Sequence, residues 1–407
     1  MNGQGVGDRV SQSRRAKGLT QIELAQLVNH SESWVRGLEK GRQPLVKRIT
    51  IDRLAEVLSV DVAWLLGQPY TPPSPDHDAG HGGVPALRNA IRRTSLILSG
   101  HPGIPVVTPS PVLTDVRRRV AHVTRLRQAA DLPGVMRQLP ELLELINTSL
   151  LDTTGDLDEA HRLLIETSHV ARMILNQLGQ HDLAWSAVEN AALAAARLGD
   201  ALFQACSAWD RCGVLLHTGA HTEAISVAEA ALGHLEPRLS SGPTPQELSL
   251  WGALHLRCAV AAGRRHDAPG AWQYLSEAEA TAQLLGSDRN DFQTVFGPLN
   301  VEIHAAEIAV ELDQPDVALR RSQHLDLTGL RSRERVVHHG ITLARAYEET
   351  KQDFSAVRVL TSAAEVSPAY VHNHPMARAV VAQLQQRSQP SAVEAGLGSL
   401  QHAMNLG

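Results

Sequence analysis

Apolar residues between Leu19 and Gly41 are spaced for two short helices. Leu24, Ala25 and Val28 share one face, Val35 and Leu38 share another, and Asn29-His30 lies between them. Thr20, with Glu23 three residues on, has the form of a capping box, and Ser31 is placed to cap the second helix. Asn29 suits the left-handed conformation that such a turn requires. Ile51, Leu54, Ala55 and Leu58 then mark one face of a further helix, and Val62, Leu65 and Leu66 a short last one capped by Asp61, with Trp64 sealing its edge. The pattern predicts a small helical domain over residues 1–68.

Residues 69–85 are rich in Pro, Gly, Asp and His without periodic apolar positions and read as a flexible linker. Leu87, Ile91, Thr94 and Leu98 predict a linking helix inside 86–113, ahead of a Pro-rich break; it docks on its own C-terminal domain or reaches across as a dimer arm. From 114 to 390 the chain alternates helical stretches with Gly, Asp or Pro punctuation, the rhythm of stacked helix pairs. The clearest pair spans 200–235, where Gly213, Ala224 and Ala228 are small enough to let its two helices approach closely. Further pairs lie near 158–198, 246–286, 298–327 and 333–367, and 391–407 reads as a flexible tail. The fold class expected is all-α.

The first stretch resembles the lambda-repressor-like, or XRE-type, regulators of bacteria and their phages. The resemblance runs from about Gly7 to Gln68 and rests on Arg14-Arg15, Thr20-Gln21, Leu24-Ala25, Ser31, Glu39-Lys40-Gly41 and Trp64-Leu65-Leu66 in joint spacing. The chain departs from the pattern in carrying Asn29 in the turn and Gly37 inside the second, recognition helix, where glycine removes a base-reading side chain. The resemblance implies a five-helix DNA-binding domain in which Arg14 pairs with Glu39 behind the recognition helix. The repeats resemble the tetratricopeptide class. Quorum-sensing regulators that join these two parts suggest a signalling peptide or small molecule as effector.

Composition agrees with helices: 43% hydrophobic residues but only 3% aromatic. The net charge of −5 is uneven. Residues 1–70 carry ten Lys and Arg against seven Asp and Glu, so a DNA-contacting surface belongs there. The residues placed for it are Gln21, Ser31, Glu32, Ser33, Trp34, Arg36, Gly37, Lys40, Arg42, Lys47 and Arg48. Gln21 and the helix-start amides would bond phosphates, Arg42, Lys47 and Arg48 would neutralise them, and Glu32, Ser33 and Arg36 would meet base edges. In the repeats, Trp209, Trp251, His255, Asn300 and His304 fall on first helices of their pairs, which line the concave face of such arrays.

No phosphate-cradling Gly-rich loop, nucleophile elbow or His-Glu-x-x-His pair occurs, and neither His338-His339 nor His372-x-His374 has an adjacent carboxylate or Cys. No enzyme, cofactor or metal is expected. Three cysteines without a metal or redox spacing, and no secretion or membrane-spanning signal, suit the cytoplasm. The expectation is a dimeric transcriptional regulator of operators with two half-sites, controlled through its repeats. The alternative is a protein-docking scaffold localised to DNA, without a small effector.

Overall fold

The computed structural model describes residues 5–70, 80–101, 103–104, 110–152, 154–240, 242–387 and 390–404. The chain is all-helical, and no strand occurs among the described residues. Five helices form the N-terminal domain: α1 (Val6–Ala16), α2 (Gln21–Leu27), α3 (Glu32–Glu39), α4 (Arg48–Leu58) and α5 (Val62–Leu66). Val10, Leu24, Val35, Ile51, Leu54 and Leu65 are fully buried between them. The Thr20–Glu23 capping box closes reciprocally, Ser31 caps α3, and Asn29 adopts a φ of 58°. Gly7 lets α1 cross α3 at backbone contact: a Cβ there would lie 2.2 Å from the Leu38 carbonyl oxygen. Trp64 does not seal the domain; it is 40% exposed, because α5 turns Val62, Leu65 and Leu66 inward instead.

The linking helix α6 (Val84–Leu98) docks on its own chain. It packs against α8 (Leu132–Leu151) and α10 (His181–Leu198), with Thr94 Oγ1 donating to Asn147 Oδ1 at 2.7 Å and Asn190 Nδ2 to the Ile91 carbonyl at 3.0 Å. The remaining helices are α7 (Leu113–Gln128), α9 (Leu157–Gln177), α11 (Ala201–Thr218), α12 (His221–Leu239), α13 (Pro245–Arg264), α14 (Ala268–Leu285), α15 (Pro298–Glu311), α16 (Pro315–Ser322), α17 (Arg333–Glu349), α18 (Asp353–Val366), α19 (Pro368–Asn373), α20 (Pro375–Gln385) and α21 (Ser391–Ala403). Helices α9, α11, α13, α15 and α17 touch in series as an inner layer, each backed by the helix that follows it, which is the stacking of a solenoid.

Two expectations change, and the array closes on itself. In the 200–235 pair, Ala224 and Ala228 are fully buried as expected, but Gly213 makes room for Arg172 of α9: a Cβ there would sit 2.5 Å from its Nη1. Most of the expected tail is the helix α21, which buries Val393, Leu397 and Leu400 and packs on α18; an amphipathic stripe gains more from burial than its ordering costs. The array also curls until its end meets its beginning. Arg127 of α7 pairs with Glu334 of α17 at 2.6 Å, Ser367 donates to the Ala130 carbonyl at 2.7 Å, and Gln177 to the Tyr370 carbonyl at 2.7 Å.

The N-terminal domain sits against this curled array. Arg48 Nη2 donates to the Leu216 and His217 carbonyls, at 3.2 and 2.8 Å, in the last turn of α11, where free carbonyls and the helix dipole favour a cation. Asp52 accepts from His221 Nε2 at 2.8 Å, Lys47 pairs with Asp313 at 2.6 Å, and the Arg378 guanidinium lies 4.1 Å from the centre of the Tyr70 ring. Residues 71–79 of the expected linker lie outside the described residues, and its last residues are ordered as the 3-10 turn His81–Gly83 and the start of α6.

Candidate nucleic-acid interface and interior site

Helix α3, expected to read DNA, is held from behind by Arg14. Its Nε donates to Glu39 Oε1 at 2.5 Å and its Nη2 to Oε2 at 3.0 Å, a bidentate pair whose side chains are 10% and 6% exposed. Burial alone would raise the Glu39 carboxyl, but the bonds from Arg14 and Gln21 hold it below the ordinary carboxylate range. Glu39→Ala therefore leaves a sequestered guanidinium and is expected to destabilise the N-terminal domain by about 3 kcal/mol. Hydrogen exchange of the α1–α5 amides in the full chain measures it; a loss below about 1 kcal/mol would mean that water screens the pair.

The exposed side of α3 carries the side chains expected to read DNA. Ser33 and Arg36 are exposed, Glu32 is half-buried, Arg36 pairs with Glu32 one turn away, and Ser31 and Ser33 hydroxyls lie 2.9 Å apart. Trp34 stacks on His30 with ring centres 3.9 Å apart, so one of its faces belongs to the domain's packing. Lys40 and Arg42 are exposed beside the end of α3.

Other expected contacts are diverted. Gln21 Nε2 donates to Glu39 Oε2 at 2.7 Å, which commits that amide to the ion pair rather than to phosphate. Gly37 faces its own loop: a Cβ there would lie 3.0 Å from Gln43 Cγ, so no side chain at 37 would reach base edges. Arg48 is buried against α11 and Lys47 is neutralised by Asp313, so in this arrangement neither is presented to a phosphate backbone.

Inside the curl lies a cavity of about 130 Å³, lined by the inner helices and closed on one side by Arg48 and Gln68 of the N-terminal domain. Of the five residues expected to line the concave face, His304 alone does so. Its Nδ1 donates to the Asn300 carbonyl at 2.8 Å, and burial holds the imidazole down at about 3, hence neutral. Trp209 is packed between α9 and α13, against His169 and under Arg257, whose guanidinium is 4.6 Å from its ring. Trp251 packs on His255, which in turn faces Tyr274 of α14, and Asn300 is buried.

The residues that do line the cavity are chiefly ionic and were not singled out by the sequence. They include Arg127, Arg172, Arg257, Arg264, Arg335 and Arg345 with Glu307, Glu311 and Glu334. A signal existed: Arg257 interrupts the Leu254–Ala262 apolar run and Arg264 follows it seven residues on, on the same helical face, where an arginine must face something other than apolar core.

Residues 6–65 match the model of a protein family described as a helix-turn-helix domain. No curated protein matches the chain. No solved structure matches it either. No helix among the described residues is long and apolar enough to cross a membrane.

Proposed function

We propose that the chain is a sequence-specific transcriptional regulator that binds operator DNA as a dimer and senses an effector with its helical array. The observation that carries this reading is the α2–α3 unit, which matches the helix-turn-helix family and presents Ser33 and Arg36 outward on a helix braced by the Arg14–Glu39 pair. Such a helix enters the major groove by its N-terminal turns, and one copy reads only a few base pairs, which favours two half-sites about one helical turn apart. Leu96 of α6 with Trp185 and Leu193 of α10, helices packed on each other, are large apolar residues left 45%, 38% and 50% exposed, which supports pairing with a second copy through these helices. An array that curls around an ionic cavity and holds the DNA-binding domain by polar contacts supports an effector whose binding changes that docking.

Selection of fragments from a random duplex pool by the full chain is expected to return a sequence repeated as two half-sites, with affinity falling steeply as salt rises. Arg36→Ala should then cost about 10- to 100-fold on the selected site and relax preference at one base position per half-site. A pool that shows no enrichment at low salt would overturn the DNA-binding reading.

A further inference from the structure

The cations of the interior cavity outnumber the anions that could balance them. Arg127 is bound to Glu334, Arg172 to Asp210, Arg345 to Glu311, and Arg264 to Glu307 and Glu311. Arg257 and Arg335 line the same cavity, and no described carboxylate lies within ion-pair distance of either. Arg127 uses Nη1 alone; its buried Nε and Nη2 have no hydrogen-bond partner, and neither does the buried Nε of Arg257. Burial and the like charges of Arg172 and Arg335 push the Arg257 guanidinium down to about 9, so it stays charged at neutral pH.

Buried donors without partners, as on Arg127 and Arg257, are costly unless a charge of opposite sign faces them; half-buried Arg335 adds a third unbalanced cation to the same wall, and guanidinium forks match carboxylate and phosphoryl oxygens. The geometry points to a binding site for a small oxyanion, a phosphoryl- or dicarboxylate-bearing molecule, held by Arg127, Arg257 and Arg335 inside the curled array. This rests on the effector reading above and gives it a chemical class. The cavity holds a group of a few heavy atoms, being smaller than the several hundred Å³ of pockets that enclose a drug-sized molecule. Neutral His304, with Nδ1 committed to a backbone carbonyl, adds no charge of its own.

The site is coupled to the DNA-binding domain, because Arg48 and Gln68 complete its wall. An anion inside adds attraction for Arg48 in its docked position, and docking keeps Lys47 and Arg48 from phosphate. A bound anion therefore favours the docked arrangement and weakens operator binding, and by linkage operator DNA weakens the anion by the same factor.

Thermal melts of the full chain in inorganic phosphate, in succinate and in chloride at matched ionic strength test the site. Phosphate, succinate or both should raise the melting temperature by a few degrees at about ten times the dissociation constant, with chloride giving none. A response to one alone identifies the phosphoryl or the dicarboxylate source. Arg257→Met and Arg335→Gln should each lose the response; without anion, Arg335→Gln should melt no lower than the parent, because it removes a cation that has no counter-charge, and Arg257→Met at most about a degree or two lower for its lost stacking on Trp209. Equal melting in all three salts overturns the site, as does an undiminished response in both variants. So does anion-free melting well below the parent in both, which would make the arginines structural. Operator affinity with and without the stabilising anion separates the two readings: an anion that binds without changing it leaves the site standing and removes the effector role.

Discussion

Asp210→Ala is expected to lower the unfolding free energy of the helical array by about 3–5 kcal/mol, a large part of the roughly 5–15 kcal/mol by which native domains are stable. Asp210 is fully buried at the centre of α11 and accepts from His169 Nδ1 at 2.7 Å and Arg172 Nε at 2.8 Å, both from α9. Burial alone would raise its carboxyl, yet His169 and Arg172 hold it below the ordinary range, so it is ionised at neutral pH. Its removal leaves Arg172, itself buried, without a counter-ion in the wall of the cavity. Asp210→Asn keeps an acceptor oxygen and should cost somewhat less, since it loses the charge alone. Urea titration measures both, and a change below about 1 kcal/mol in the alanine variant would show that water reaches Arg172.

The second large effect is mild-acid unfolding. Burial lowers His169, His181 and His339 to about 4 and His304 to about 3, so each is neutral in the folded chain. In the unfolded chain a histidine titrates near 6.5. As pH falls below that value the unfolded state binds protons that the folded state refuses, so the stability is full above about 6.5 and is lost progressively down to about 4. Each group contributes about 1.4 kcal/mol per pH unit in that window, and the four together about 5 kcal/mol per unit near pH 5. The chain should therefore unfold cooperatively between about pH 6 and 5, well above the range in which ordinary carboxylates protonate. Equal urea midpoints at pH 7.5 and 5.5 would falsify this. His169→Gln should reduce the pH slope by about one proton.

The N-terminal domain was legible because its signals are local. A cap and its partner three residues on, a left-handed turn residue and an apolar stripe act within a few residues, and the structure places Thr20, Asn29, Ser31, Leu24 and Leu38 accordingly. The rhythm of helix pairs was legible for the same reason. The ordered C-terminal helix was less so, since Val393, Leu397 and Leu400 make a sparse stripe whose value depends on α18 being there to receive it.

The sequence by itself determined that the chain is all-helical, that its first seventy residues form a basic helix-turn-helix domain, and that helix pairs follow. The tertiary structure decided where the ionic residues work. Arg48 reads as a phosphate contact beside a DNA-binding motif, and becomes a clasp because the end of α11 is folded against it. Trp209 reads as a groove residue and becomes core because α9 and α13 enclose it, while Arg127 and Arg257, scattered along the chain, become neighbours in one cavity because the array closes on itself. Helix periodicity specifies which side of a helix is buried. It carries no information on which distant helix covers that side, and the charge environment of an arginine depends on that neighbour.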